Sequence, residues 1–147
     1  MNETDPVRSV RVSCELRIDA PPERVFDVMT RRAFEWYPHS YGGDRTRAVV
    51  IEPELGGRLY EDWGDGTGHL YGHVTAWDPP HGWSTRGRLS AGTTLDSSYE
   101  LTPNGSGVVV RMSKVAVGPL SDEEAAGIAE YGDISGYAGI IEKLANE

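Results

Sequence analysis

A carboxylate, an amine and a set of aromatic side chains are the groups in this sequence with chemistry to offer. Alternation along 57–64 puts Leu59, Glu61 and Trp63 on one strand face and Arg58, Tyr60 and Asp62 on the other. Glu61 thus stands between an aliphatic and an indole side chain. Turned inward, its carboxyl pKa rises unless it is paired, and it can anchor a ligand hydroxyl or amine, or act as a general acid or base. Turned outward by a bulge or a one-residue slip, it is a solvated acid. Along 107–117, Val108, Val110, Met112 and Lys114 share a face. Lys114 ends that row, either as a partner for Glu61 or an anionic ligand, or as a side chain snorkelling at the rim. Trp36, Tyr37, Trp63, Trp83, Tyr99 and Tyr137 are expected to line or gate an interior, or simply to fill it. Aromatic rings with a few polar tips suit amphipathic, ring-containing ligands.

Other groups carry less. His69, Tyr71 and His73 alternate and so share one face, read as an outer polar face opposite Leu70, Gly72, Val74 and Ala76. At about 3.3 Å per residue, His69 and His73 lie roughly 13 Å apart and cannot bind one ion together. His39 and His81 fall in turns without obvious partners. Cys14 sits on the apolar side of its strand and reads as a buried small residue. No nucleophile elbow, phosphate loop, dinucleotide fingerprint or zinc-protease motif is present. Neither a metal nor a cofactor is expected.

The 147 residues amount to one domain, 1–147, with 1–7 polar and expected to be flexible. The formal charge is −9 and the pI about 4.9, which disfavours nucleic acid and anionic lipid surfaces as partners. One cysteine excludes an intrachain disulfide scaffold. No apolar run is long enough for a signal core or a membrane span, so a cytoplasmic location is expected, without membrane insertion.

The elements that must position these groups follow from period and punctuation. Val10, Val12, Cys14, Leu16 and Ile18 alternate with polar residues as a strand with one wet face. Pro21-Pro22-Glu23 opens a short helix over about 22–31, with Val25, Phe26 and Met29 on its apolar side. Turn signals at Gly56-Gly57, Asp65-Gly66, Pro79-Pro80, Gly92 and Asn104-Gly105 delimit six strands, near 46–52, 57–64, 68–78, 82–89, 94–102 and 107–117. Such spacing favours an antiparallel meander. Ser121, with Asp122, Glu123 and Glu124 after it, caps a final helix of some twenty residues. Its stripe runs Ala126, Glu130, Ile134, Tyr137, Ile141 and Leu144, which turns Tyr137 inward rather than Tyr131. Four glycines weaken that helix, so packing must hold it.

In this order, several stretches resemble the SRPBCC (START / Bet v 1-like) superfamily, and within it bacterial proteins related to the C-terminal domain of the activator of Hsp90 ATPase. Ile18-Asp19-Ala20-Pro21-Pro22-Glu23-Arg24-Val25-Phe26 resembles the family's first strand-to-helix junction. Leu55-Gly56-Gly57-Arg58 resembles its "GGR" turn. Gly72-His73-Val74 followed by Asp78-Pro79-Pro80 is similar to its "G-x-V…PP" strand and turn. Gly136-Tyr137, with Ile141 and Leu144 behind, resembles its last helix, with Tyr where the family usually has Trp. The resemblance covers about 10–145.

It implies an α+β helix-grip fold: a curved antiparallel sheet of about seven strands wrapped around a long C-terminal helix, with short helices after the first strand. It turns the Leu59, Glu61 and Trp63 face inward. The expected function is binding of a hydrophobic or aromatic small molecule in a cavity between sheet and helix. Trp36, Leu59, Glu61, Trp63, Trp83, Tyr99, Met112, Lys114, Ile134, Tyr137 and Ile141 are the expected lining. Two other readings stand beside it: a cyclase- or aromatase-type enzyme with Glu61 as base, and a co-chaperone-like interaction protein. A binder ranks ahead of an enzyme, and the superfamily leaves a homodimer open.

Overall fold

The structure is a computed structural model that describes residues 5–147. Part of the 1–7 segment, residues 1–4, lies outside the described residues; β1 starts at Val7. Seven antiparallel strands form one sheet in the order β1-β7-β6-β5-β4-β3-β2. They are β1 (Val7–Ile18), β2 (Ala48–Ile51), β3 (Arg58–Gly64), β4 (Thr67–Asp78), β5 (Gly82–Ser90), β6 (Thr93–Asn104) and β7 (Gly107–Pro119). Consecutive strands from β2 to β7 are neighbours, so the meander follows directly from the tight turns between them. Asp65, with φ 54°, and Gly66, with φ 78°, make one of those turns.

Helices α1 (Pro22–Arg31) and α2 (Ala33–Trp36) follow β1, and α1 contacts β2, β6 and β7. Val25, Phe26, Val28, Met29 and Thr30 are its buried residues. The core gathers Leu16, Ile18, Val108, Val110, Met112 and Leu101 from the sheet and Val25, Met29, Trp36 and Ile141 from the helices. Cross-strand pairing sets the concave face. Val12, Lys114, Ser97 and Thr85 stand side by side across β1, β7, β6 and β5, and Cys14, Met112, Tyr99 and Trp83 form the next row. Phe26 meets both Trp77 and Trp83 edge-on at 5.1 Å, and Trp83 stacks on Tyr99 at 4.2 Å. These pairs add about 1 kcal/mol each beyond the area they bury.

Two sequence expectations need correction. The C-terminal helical segment is in two pieces, α3 (Asp122–Gly132) and α4 (Ala138–Ala145), joined by a single 3-10 turn at Ser135–Tyr137. Ser121 caps α3 reciprocally with Glu124, as its sequence predicts. The break follows from Asp133, whose carboxylate takes the Ser135 amide at 2.9 Å and offers the backbone an alternative to helix. Gly132 lets the end of α3 press on Val12 of β1. The break also splits the apolar stripe: Ala126 and Glu130 are exposed, while Ile134 and Ile141 are buried.

The second correction concerns β4. Leu59 pairs with Gly72 but Tyr60 pairs with Leu70, so Tyr71 is an extra residue in a bulge. Parity fails across it. His69 pairs with Glu61 on one face and His73 with Arg58 on the other, so His69, Tyr71 and His73 do not share a face.

Candidate functional site

Glu61 is fully buried, at 0% exposure. β3 places it beside Leu59 on the concave side, and the segment from Tyr41 to Thr46 folds over it. Oε1 accepts from the Gly42 amide at 2.7 Å, the Trp63 indole at 2.8 Å and the Thr46 hydroxyl at 2.9 Å. Oε2 accepts from the Tyr41 amide at 2.7 Å and from the Tyr71 hydroxyl. A carboxylate offers about four lone-pair sites, and these five donors fill them. Burial by itself pushes the carboxyl pKa up. The hydrogen bonds from Tyr71, Trp63, Tyr41 and Gly42 outweigh it and hold the pKa at about 2. Burial and the Glu61 carboxylate together push the Tyr71 phenol well above its usual range. The bulge at Tyr71 is what brings that hydroxyl to the carboxylate.

This arrangement is a latch. A Cβ on Gly42 would overlap the Trp63 indole nitrogen and the Thr46 hydroxyl, so the loop closes because glycine stands there. Arg45 covers the outside of Trp63, 4.2 Å from the ring centroid. The ligand-anchoring and general-base roles read for Glu61 do not fit this geometry, because no lone pair is left for a ligand or a proton. Trp63 is likewise engaged with the loop rather than with the main core. Leu59 joins a separate small cluster with Ala33, Ile51 and Val74.

The other sequence-derived residues come together. Trp36, Trp83, Met112, Ile134 and Ile141 are buried in the main core, with Tyr37, Tyr99, Tyr137 and Cys14 packed against it. Trp36, Tyr37 and Tyr137 form an aromatic group with centroids 5.5–5.9 Å apart, Tyr137 meeting the other two rings edge-on. His39 joins them through a 3.0 Å hydrogen bond between its Nε2 and the Tyr137 hydroxyl. Turn position gave no sign of that partner. Tyr131, by contrast, is 64% exposed.

Lys114 stands in front of this aromatic group. β7 sets it between Val12 and Ser97 on the concave face. It makes no ion pair among the described residues, whose ion pairs all use arginine. Burial lowers its ammonium pKa, and the charged forms of Tyr37 and Cys14 are the opposing influences. Burial raises the Tyr37 phenol and the Cys14 thiol, so both neighbours are neutral at pH 7. Lys114, Tyr37, Tyr99 and Cys14 nevertheless keep part of their surface exposed.

Two shallow clefts lie elsewhere on the surface. One, of about 330 Å³, runs between α1 and the β4–β5 turn, beside Glu23, Thr30, Arg31 and Pro80. The other, of about 200 Å³, lies by the β6–β7 turn, next to Asp19, Ser106 and Glu142. Neither is lined by Lys114 or the tyrosines around it. No helix among the described residues is long and apolar enough to cross a membrane.

No family model matches the chain, and no curated protein matches it. Solved structures do. A Mesorhizobium loti protein superposes with a TM-score of 0.66 at 21% identity, over 92% of this chain and 96% of that one. Ara h 8.0201 gives 0.63 at 15% identity, over 95% and 99%. A truncated norcoclaurine synthase from Thalictrum flavum gives 0.63 at 17% identity, over 100% and 99%. At these identities the likeness is one of architecture, and the sheet order and helix placement agree with it: the chain has the Bet v 1-like helix-grip fold.

Proposed function

We propose that the protein binds an amphipathic small molecule on the concave face, between the sheet and the C-terminal helical segment. The fold is one known for ligand binding. The observation that carries the reading is Lys114: an inward, partly exposed amine with no protein counter-ion among the described residues, beside Tyr37, Tyr99 and Cys14. A half-buried amine without a counter-ion is a position that an anionic group of a ligand would stabilise. The ligand places an aromatic or aliphatic body beside Tyr37 and Tyr99, whose side chains keep part of their surface exposed. Its polar end, an anion or a strong acceptor, meets Lys114. Apolar burial contributes about 25 cal/mol per Å². The amine supplies direction and about 1.5–3 kcal/mol if its partner is charged. The cyclase-type alternative loses its base, because Glu61 is saturated.

The test is thermal unfolding with a panel of lipids, polyketides and aromatic acids, followed by calorimetric titration of the best compound. An aromatic acid such as 2-naphthoate is expected to raise the Tm. Its affinity is expected to fall at least about tenfold in Lys114→Met, the equivalent of 1.4 kcal/mol. If no compound in the panel raises the Tm, the reading is wrong.

A further inference from the structure

The sheet has two edges, and they are built differently. β2, at one edge, is four residues long and has α1 and α2 against it. β1, at the other, runs for twelve residues without a proline or a bulge, and among the described residues it pairs with β7 alone. The Leu120 amide donates to the Pro6 carbonyl at 3.2 Å, one step before Val7 stands opposite Pro119. Hydrogen-bonded pairs alternate along an antiparallel ladder. The even-numbered residues of β1 therefore turn their amides and carbonyls to β7, and the odd-numbered ones turn theirs outward. Ser9, Arg11, Ser13, Glu15 and Arg17 carry that outward row, and all five are exposed. The contact with Gly132 at the end of α3 falls on Val12, an even position on the concave face. A long edge of this kind is a template for another strand.

We infer that a second copy of this chain takes the place: two β1 strands pair antiparallel about a two-fold axis at Ser13 and join the two sheets into one. The side chains select this partner and this register. With the axis at Ser13, Arg11 of each copy faces Glu15 of the other, and the symmetry makes the contact twice. Arg11 has no ion pair among the described residues. Glu15 has only long contacts, 3.7 Å to Arg17 and 3.8 Å to Arg111, which leave its side chain 46% exposed. On the concave side the same register sets Val12 against Cys14 and Val10 against Leu16. Neighbouring registers lose the match. An axis at Cys14 sets Arg11 against Arg17, one at Glu15 sets that acid against itself, one at Arg11 sets two arginines together, and one at Val12 pairs no opposite charges. Opposite charges directly across a ladder stabilise it and like charges weaken it.

Sedimentation velocity on the full chain is expected to give twice its 16.1 kDa at micromolar concentration. Ser13→Pro removes an outward amide that the β1–β7 ladder does not use, and should leave a folded monomer. Glu15→Arg sets like charges face to face twice and should weaken the dimer at least about tenfold. Arg11→Glu should do the same, and the double variant Arg11→Glu/Glu15→Arg should restore the dimer. The charge variants decide the matter if Ser13→Pro fails to fold. A dimer that withstands the single charge reversals, or one that the double variant does not rescue, overturns the proposal. A wild-type monomer at about 100 μM leaves the edge to a strand of another protein and overturns it as well.

Discussion

Glu61, fully buried, and Lys114, half-buried, are charges on the same concave face, and the fold treats them in opposite ways. Glu61 has five donors on two oxygens and an exposure of 0%. Lys114 has no ion-pair partner among the described residues and keeps part of its surface open. Burial disfavours both charges equally in principle. Hydrogen bonds reverse the effect for the carboxylate, whose pKa falls to about 2, and nothing reverses it for the amine. A buried charge is therefore not a functional signal by itself. The saturated one holds a loop in place, and the unsaturated one has no counter-ion among the described residues.

The largest effect that tests this contrast is Glu61→Ala. It strands the donors of Tyr41, Gly42, Thr46, Trp63 and Tyr71, and should cost about 3–5 kcal/mol in urea unfolding at pH 7. The pH dependence follows from the sign of the shift. The carboxyl pKa drops from 4.5 to about 2 on folding, so the unfolded chain binds more protons between these values. The stability it contributes, at most about 3 kcal/mol, is present above pH 4.5 and lost as the pH falls toward 2. In Glu61→Gln that acid dependence should flatten. A wild-type acid limb no steeper than that of Glu61→Gln would break the comparison.

Tyr71→Phe is the intermediate case. It removes one of the five donors and leaves the ring in place against Tyr41 and His69. A loss of about 1.5–3 kcal/mol is expected for a hydrogen bond to a charged group. No loss would mean that the remaining four donors saturate the carboxylate.

The smallest effect has the opposite sign. Lys114→Met keeps the volume and removes an unpaired charge, so it should stabilise the fold by about 1 kcal/mol at pH 7. In the wild type the folded amine has a lowered pKa, below its ordinary 10.5, so the unfolded chain binds more protons between the two. Stability should therefore rise with pH as that window is crossed, and this alkaline gain should vanish in Lys114→Met. Destabilisation by Lys114→Met at pH 7 would show that the amine is a structural group like Glu61.

Much of the architecture was legible in residue order. Helix α1 spans 22–31 because Pro22 and the acid at Glu23 mark its start. The strand limits follow the glycine and proline turns within a few residues. Parity along β3 paired Glu61 with Leu59, as the ladder with Ile51 and Val49 shows. The latch was not legible. Two of its donors are backbone amides 19 and 20 residues away, and an amide has no side-chain signature. The Tyr71 bulge was equally hidden, since one extra residue leaves alternation intact in the text while reversing it in space. Asp133 could have been found: an acid next to Gly132, two residues before a serine, is a local competitor for helix.

The pairing of β1 with β7 has a kinetic consequence. Val7 lies opposite Pro119, and the ladder runs without interruption to Ile18 opposite Val108. β1 sits at the sheet edge with β7 as its neighbour, so the first strand waits for the last. During synthesis the alternating segment 7–18 has no β7 partner until residue 108 has emerged, and its ladder is complete only with residue 119. Closing so long a loop is entropically slow, and β-rich topologies of high contact order fold in milliseconds to seconds. The arginines and glutamates on its wet face, Arg11, Glu15 and Arg17, then serve as guards against pairing with the wrong edge while it waits.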